Sequence, residues 1–323
     1  MNRMVTIGAA QSGPVSRSES RADAVERLIH QLRQAHRFGC DLVVFTECAL
    51  TAFFGHWWIE DDAELDAWFE TEMPGPETQP LFDEAKRLGI GFSLGYAELE
   101  FSSGQKRRFN TSILVERDGR IVGKFRKIHL PGHREHRPGN PFQNLEKRYF
   151  EVGDTGFQAW PAFGGGFGMC ICNDRRWPES FRSLALAGAE VVLLGYNTPD
   201  SIPENPELNH QVAFHHELCL QAGAYQNCCW VVAVAKAGVE EGVSQIGLTS
   251  IVSPTGQIVA QTSSLADELI VHTCDLDLCR EYRRELFNFG ANRRPDHYSR
   301  VTSQTEAIRF DHRTVDEGSA RAT

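Results

Sequence analysis

Three residues of different chemistry stand at the ends of apolar runs that are typical of buried β-strands. Glu47 closes DLVVFTE, Lys127 lies near the end of RIVGKFRKI, and Cys172 ends GFGMCIC. A cysteine attacks well only as its thiolate, so it needs a base that accepts its proton or a cation that stabilises the anion. Glu47 can be that base and later an acid, while Lys127 can stabilise the oxyanion of a tetrahedral intermediate. Their combination predicts nucleophilic catalysis at Cys172.

Each of these residues alone also has a simpler interpretation. A cysteine in an apolar strand is usually part of the core, and a charged residue at a strand end is usually a solvated cap.

The sequence predicts neither a disulfide framework nor a metal site. The 9 cysteines are odd in number and lack the C-x-x-C spacing of a tetrahedral zinc site. HREH (133–136) and the run at 215–217 lack the H-E-x-x-H spacing.

Two arginines, Arg175 and Arg176, follow Cys172 closely. The planar guanidinium group binds a carboxylate in a bidentate manner, so this pair predicts an acidic substrate. The alternative is that one of the two forms a structural ion pair, because adjacent residues of an extended segment point to different sides.

The elements that must position these residues alternate between short apolar runs and helix-period segments, which is typical of an α/β fold with buried strands. Residues 4–10 predict a strand, 20–39 a helix and 41–47 a strand. Asp118-Gly119 separates two strands as a hairpin turn would. The irregular stretch 129–162 is long enough to predict a functional wall.

The overall composition limits the classes of function and location. A formal net charge of −10 disfavours a general binder of nucleic acid or anionic membrane. No apolar run approaches the roughly 20 residues that span a bilayer, and the first residues lack the apolar core of a signal peptide. We therefore expect a cytoplasmic protein. No linker or repeat divides the sequence, so we expect one domain over 1–300 and a polar tail over 301–323 that packs on a partner subunit or is mobile.

Three motifs resemble the Glu, Lys and Cys motifs of the nitrilase superfamily, and they occur in that order: FTECAL (45–50), KFRKIHLPGH (124–133) and CNDRRWPE (172–179). The sequence between and around them is similar to the family of N-carbamoyl-D-amino-acid amidohydrolases. That similarity covers roughly residues 5 to 300, including ETEMPGP (70–76), GFSLGYAEL (91–99), RRFNTSILV (107–115), LEKRYFEVGD (145–154), GYNTP (195–199) and NRRPDHY (292–298).

The resemblance implies a single-domain, four-layer α-β-β-α sandwich that assembles into homodimers or homotetramers through its helical faces. It implies no cofactor and no metal. By the family pattern Cys172 attacks the carbamoyl carbon, Glu47 moves protons, Lys127 stabilises the oxyanion and Glu146 orients the lysine. Ammonia leaves first, and water then releases an N-carboxy amino acid that breaks down to the free D-amino acid and carbon dioxide.

The resemblance also implies the residues that contact the substrate. Asn173, Asn197 and Thr198 offer amide and hydroxyl groups, with turn formation as the alternative. His129 and His215 match family positions near the substrate, and helix packing is the alternative for His215.

Two positions depart from the family pattern. Asn144 stands where that group has a histidine thought to contact substrate, and Thr46 stands where the superfamily usually has proline. Asn keeps hydrogen bonding but does not titrate. The alternatives for the whole chain are a hydrolase of β-ureido acids or simple amides, or a non-catalytic binding scaffold that keeps the fold.

Overall fold

The first strand and helix show how the sequence directs the fold. A computed structural model describes residues 3–102 and 104–308. Strand β1 is Met4–Gln11, and helix α1 is Arg21–Arg37. The Ser20 side chain accepts from the backbone N–H of Asp23, and the Asp23 carboxylate accepts from the Ser20 N–H, so the two residues form a capping box. The helix therefore starts where its apolar periodicity starts, and its buried side packs on the strands.

The remaining elements continue this alternation. The further helices are α2 (Asp62–Asp66), α3 (Gln79–Leu88), α4 (Glu146–Tyr149), α5 (Pro178–Leu186), α6 (Val212–Asn227), α7 (Asp277–Tyr282), α8 (Phe289–Asn292) and α9 (Ser299–Ser303). The further strands are β2 (Leu42–Val44), β3 (Gly91–Ser102), β4 (Gln105–Val115), β5 (Ile121–Arg126), β6 (Ala159–Ala162), β7 (Gly165–Ile171), β8 (Val191–Tyr196), β9 (Trp230–Ala235), β10 (Ala237–Glu240), β11 (Val243–Ile246), β12 (Ser250–Val252), β13 (Ile258–Gln261) and β14 (Glu268–Asp275).

Two mixed six-stranded sheets pack face to face. Their strand orders are β14-β1-β2-β3-β4-β5 and β13-β12-β9-β8-β7-β6, and β10 and β11 form a separate ribbon. One apolar cluster joins the inner faces of both sheets, with Ile7 and Phe125 from the first sheet and Phe167 and Val232 from the second. Helices α1 and α3 cover the outer face of the first sheet, and α5 and α6 cover that of the second. The predicted four-layer α-β-β-α sandwich is confirmed.

The strands that carry the candidate residues end earlier than their sequence pattern predicts. The run 41–47 is a strand only over Leu42–Val44, so Glu47 lies in the turn that follows it. Strand β7 ends at Ile171, and Cys172 begins a short 3₁₀ helix, Cys172–Arg176. At both places a cysteine has a positive φ, 47° at Cys48 and 45° at Cys172, which no extended strand allows. An apolar sequence pattern indicates that residues are buried, and it does not distinguish a strand from a buried turn. Both of these turns are buried.

The C-terminal part of the chain contains the short helix α9, whose residues are exposed. The predicted tail begins at residue 301, and its part from 309 to 323 lies outside the described residues. The boundary at residue 300 and the packing of the tail on a partner stay predictions. In the part of the chain that the structure describes, no helix is long and apolar enough to cross a membrane. The cytoplasmic location stays a prediction.

Candidate active site

The candidate site centres on Lys127, the residue after β5, whose ammonium group is fully buried between two carboxylates. Its Nζ lies 2.7 Å from Oε1 of Glu47 and 2.6 Å from Oε2 of Glu146. Taking charges out of water costs free energy, which close partners of opposite charge offset. Two carboxylates face one ammonium, so the cluster carries an excess negative charge when all three groups are ionised.

Both sheets hold the Glu47 carboxylate in place. Its Oε1 accepts a hydrogen bond from Nδ2 of Asn110 on β4, at 2.7 Å, and its Oε2 accepts one from the backbone N–H of Asn197, at 2.8 Å. Asn197 follows β8, and its Nδ2 also donates to the backbone carbonyl of Glu47, at 3.1 Å. Sequence reasoning misses Asn110. The available signal was the polar run Asn110-Thr111-Ser112 between apolar residues of β4, because buried polar groups need partners.

Cys172 stands in a strained turn beside this cluster. Its φ of 45° lies in the left-handed region, which is costly for a residue with a side chain and is often found at functional sites. The Sγ lies 3.5 Å from the backbone oxygen of Asn197 and 3.9 Å from Oγ1 of Thr198. The turn thus points the thiol at the residues that follow β8.

The charges of the cluster set the protonation of each group. Burial and the nearby Glu47 raise the pKa of the Cys172 thiol, while Lys127 and Arg175 act against this. Burial raises the pKa of Glu146 to about 7, against the opposing effect of Lys127. Burial alone would lower the pKa of Lys127, but Glu146 and Glu47 hold that pKa well above its usual range. The thiol is therefore neutral at rest and needs a base.

The two arginines after Cys172 have different environments. Arg175 is buried, donates to the Cys172 carbonyl at 2.7 Å and to Oγ1 of Thr198 at 2.9 Å, and lies over the ring of Tyr196. Arg176 is exposed and has no carboxylate within ion-pair distance among residues 3–102 and 104–308. Crowding by neighbouring protein and the charge of Arg175 lower the pKa of Arg176. Among the described residues, Arg176 therefore has no such partners to compete with an anion, whereas Arg175 keeps only its buried Nε–H without a partner and has Nη1 3.7 Å from the Cys172 Sγ.

A model of the carbon-nitrogen hydrolase family matches residues 6–284. The chain belongs to this family, within the nitrilase superfamily. N-carbamoylputrescine amidase from Solanum lycopersicum is 29% identical over 309 residues, which cover 92% of this chain and 94% of that protein. Citrullinase from Francisella tularensis is 24% identical and covers 89% of this chain and 95% of its own length. A carbon-nitrogen hydrolase from Helicobacter pylori G27 has the same fold, with a TM-score of 0.77, 24% identity and coverage of 93% and 99% of the two chains.

In this carbon-nitrogen hydrolase, His129 is held by a carboxylate that sequence reasoning misses. The buried Asp174 accepts hydrogen bonds at Oδ1 from the backbone N–H of His129, at 2.9 Å, and from its Nδ1, at 2.8 Å. The other oxygen of Asp174 accepts from the Ile171 N–H, at 3.1 Å. The His129 ring stacks on Trp177 at a centroid distance of 4.8 Å. A neutral ring that donates from Nδ1 keeps Nε2 as an acceptor. Asp174 therefore fixes both the orientation and the tautomer of His129.

Two further predicted residues have local structural partners. Asn173 donates from Nδ2 to the backbone oxygen of His129, at 3.0 Å, and so joins the Cys172 turn to the segment after Lys127. Asn144 accepts from the His133 N–H, at 2.9 Å. It packs on Gly132, whose φ is 78° and where an added Cβ would lie 2.0 Å from the Asn144 backbone oxygen. Asn144 thus fixes the conformation of the irregular stretch 129–162 at a point two residues before Glu146.

The structure does not bring His215 into contact with Cys172. His215 is half-exposed on α6 with its ring near Phe214, whereas its neighbour His216 is fully buried against Tyr196. His215 lies one helical turn before the half-buried Cys219, and its place near the substrate stays a prediction. Among the described residues, no group of three or more His, Cys, Asp and Glu side chains could hold a metal ion.

Proposed function

We propose that the chain hydrolyses N-carbamoyl-D-amino acids to the D-amino acid, ammonia and carbon dioxide, with Cys172 as the nucleophile. The observation that carries the substrate class is Arg176, an exposed guanidinium with no carboxylate partner among the described residues, on the same short helix as Cys172. A guanidinium in this position fits a substrate whose carboxylate lies close to the scissile carbon–nitrogen bond.

In the proposed reaction, Glu47 accepts the proton of the Cys172 thiol as Sγ attacks the carbamoyl carbon. Lys127 donates a hydrogen bond to the oxyanion of the tetrahedral intermediate. Glu47 returns the proton to the leaving ammonia, and the remaining acyl group stays on Sγ as a thioester-type intermediate. Water, deprotonated by Glu47, then attacks this intermediate; the carbon–sulfur bond breaks, Sγ takes the proton back from Glu47, and the N-carboxy amino acid that is released loses carbon dioxide. Glu146 orients Lys127 throughout.

The substrate-contacting residues are proposed on two kinds of support. Asn197 and Thr198 lie within 3.5 and 3.9 Å of Sγ, and Asn173 and His129 are hydrogen-bonded to each other beside the Cys172 turn. Arg175 supports the turn through the Cys172 carbonyl, and because its Nη1 lies 3.7 Å from the Cys172 Sγ it is proposed as a substrate contact as well. The roles of His215 and Asn144 rest on the family resemblance.

The names of the relatives support a ureido group in the substrate, because N-carbamoylputrescine and citrulline each contain one. The two differ at the other end of the molecule, where N-carbamoylputrescine has an amine alone and citrulline has an amine and a carboxylate. The free Arg176 favours the acid and repels the amine. The preference for the D enantiomer rests on the resemblance to N-carbamoyl-D-amino-acid amidohydrolases.

The test is ammonia release from a matched panel of substrates: N-carbamoyl-D- and L-amino acids, N-carbamoyl-β-alanine, N-carbamoylputrescine and a simple amide. We expect hydrolysis of the D series that disappears in Cys172→Ala. Arg176→Gln should raise KM for these acids by about 10- to 100-fold, since a charge-assisted hydrogen bond is lost. Arg120→Gln, at an exposed hairpin turn, is the matched control and should leave KM unchanged.

The panel also distinguishes the rival substrates. Turnover of N-carbamoyl-β-alanine or of the simple amide alone would replace the carbamoylase proposal with a β-ureido acid or amide hydrolase. Turnover of N-carbamoylputrescine without the acids would show that Arg176 does not select the substrate. A folded protein inactive on the whole panel would support the scaffold alternative.

We also propose that the chain forms a homodimer or homotetramer through the outer helical face. Large apolar side chains are exposed there, including Leu186 on α5 and Phe214, Leu218 and Tyr225 on α6. Exposed apolar patches of this kind often mark protein interfaces. Light scattering should give a mass at least twice that of the chain, and Leu218→Lys should lower it.

A further inference from the structure

A second buried lysine lies behind the turn that carries Glu47. Lys236 follows β9, and Glu240 ends β10; both side chains are buried. The Lys236 Nζ lies 3.1 Å from Oε2 of Glu240 and donates to the backbone oxygen of Thr51 at 2.8 Å. Neither residue has a part in the reaction proposed above, so this fully buried pair needs another explanation.

We propose that the Lys236–Glu240 ion pair is a positioning device for Glu47 and Glu146, acting through the buried segment 47–56. The inference rests on the proposed function in that it takes these two carboxylates as the groups that hold Lys127. It adds a physical cause for their placement, and it concerns residues that do not touch the substrate.

The ion pair fastens the middle of segment 47–56. All ten residues are buried, yet the only helical part is a 3₁₀ turn at Phe54–His56. Buried backbone groups outside regular structure must find partners elsewhere. Lys236 satisfies the Thr51 carbonyl, and Oε1 of Glu240 accepts from the Phe53 N–H at 2.6 Å. Its Oε2 accepts from the N–H of Val15, at 2.9 Å, which anchors the pair to the loop after β1.

The C-terminal end of segment 47–56 is hydrogen-bonded to the residues that precede Glu146. The backbone oxygen of Gly55 accepts from the Leu145 N–H at 2.9 Å, and that of His56 accepts from the Gln143 N–H at 3.0 Å. Leu145 directly precedes Glu146. The segment therefore begins with one carboxylate of the cluster and supports the other, so a shift at Thr51 and Phe53 would move both partners of Lys127.

The effect of such a shift falls on catalysis more than on substrate affinity. Misplacing a catalytic group by about 1 Å can cost about 100-fold in rate. Arg176, which we assign to the substrate carboxylate, and His129 belong to other segments, so KM should change less than kcat, although Asn197 and Asn144 adjoin the segment. The alternative is that the pair only stabilises the fold, although buried ion pairs can often be replaced by neutral side chains at little cost in stability.

The test is the double variant Lys236→Met/Glu240→Gln, which removes both charges and leaves no unpaired one. We expect a folded protein whose kcat falls about tenfold or more while KM stays within about threefold. Alkylation of Cys172 by iodoacetamide, followed by mass spectrometry of the Cys172 peptide, should slow by a similar factor. Arg33→Met/Glu84→Gln, which removes an ion pair between the outer helices α1 and α3, is the matched control and should keep both rates.

Wild-type kcat and alkylation rate in the folded double variant would overturn the proposal, as would equal losses in the control. If the double variant fails to fold, Lys236→Gln/Glu240→Gln keeps polar side chains at both positions, leaves no unpaired charge and decides by the same criteria. The alkylation rate needs no substrate, so it decides the positioning role even if the substrate panel shows that the proposed function is wrong.

Discussion

The two fully buried lysines, Lys127 and Lys236, stand in different electrostatic surroundings. Lys127 has carboxylates of Glu47 and Glu146 within 2.7 Å, whereas Lys236 is paired with the single carboxylate of Glu240 and a backbone carbonyl. The first cluster has an excess of negative charge next to a thiol when both of its carboxylates are ionised, and the second is balanced. Imbalanced buried charges shift pKa values and are typical of reactive sites, while balanced pairs fit a supporting role.

Sequence patterns do not distinguish the two lysines. Each follows a strand directly, β5 for Lys127 and β9 for Lys236. What separates them is the set of groups that other elements bring to each ammonium. Segment 47–56 supplies partners to both, a carboxylate to Lys127 and a carbonyl to Lys236. The reactive cluster around Lys127 and the supporting Lys236–Glu240 pair therefore contact the same buried segment, 47–56.

The largest effect expected from this comparison is that of Lys127→Met. Loss of the ammonium removes the donor to the oxyanion and leaves Glu47 and Glu146 facing each other, so one of them should take up a proton. We expect kcat to fall by roughly 1,000-fold or more, because a single oxyanion donor alone contributes 100- to 1,000-fold. Steady-state ammonia release measures this, with circular dichroism to show that the variant is folded.

The comparison itself is tested by the ratio of the two effects. The loss in Lys127→Met should exceed the roughly tenfold loss expected at the Lys236–Glu240 pair by about 100-fold. Equal losses at the two lysines would show that charge imbalance does not distinguish the reactive site from its support.

The second prediction concerns pH and Glu146→Gln. Burial raises the pKa of Glu146 from 4.5 to about 7 in the folded protein. Between these values the folded chain binds more protons than the unfolded chain, so the stability that depends on Glu146 falls as pH rises. Glutamine does not titrate. The unfolding free energy of Glu146→Gln relative to the original protein should therefore rise by on the order of 2 kcal/mol from pH 5 to pH 8.

Urea unfolding at the two pH values measures this difference. Glu207→Gln, an exposed position, is the control and should follow the original protein at both. Parallel behaviour of Glu146→Gln and the original protein would show that Glu146 is ionised across the whole range, and the cluster would then carry its excess charge at every pH tested.

The sequence is sufficient for the layered fold because local signals determine it. Strands and helices alternate, and Asp118-Gly119 makes the hairpin between β4 and β5, whose antiparallel pairing is observed. It is also sufficient to propose Glu47, Lys127 and Cys172, since these reactive residue types stand near strand ends and the motifs around them resemble those of the nitrilase superfamily. The strand ends themselves are misjudged at 41–47, because a buried turn and a buried strand have the same apolar pattern.

The supporting residues cannot be predicted in the same way. Asp174 holds His129 across a separation of 45 residues, and Glu240 reaches Phe53 across 187. Such contacts depend on how the two sheets face each other, and no local spacing encodes that arrangement. A charged residue in an apolar stretch, such as Lys236, is a signal of a buried partner, but it does not identify the partner.

The smallest expected effect is that of Thr46→Val, directly before segment 47–56. The Thr46 hydroxyl lies 3.1 Å from the backbone oxygen of Tyr196 and 3.2 Å from that of Val234, so it ties the Glu47 turn to the second sheet where the superfamily usually has proline. Valine keeps the shape and loses the donor. We expect a loss of about 1 kcal/mol in unfolding free energy and a fall in kcat of about threefold. Thr6→Val, whose hydroxyl contact to Thr273 is exposed, should cost less.

Combining Thr46→Val with Lys236→Met/Glu240→Gln sharpens this prediction into a test of the shared segment. If the hydroxyl and the ion pair both fix the same backbone, the fold-loss of kcat in the combined variant should be smaller than the product of the two separate fold-losses. The reason is that a segment already displaced by one change is displaced less by the second. Strictly multiplicative losses would show that the two contacts hold Glu47 independently. The segment would then not be the physical link between the two buried lysines.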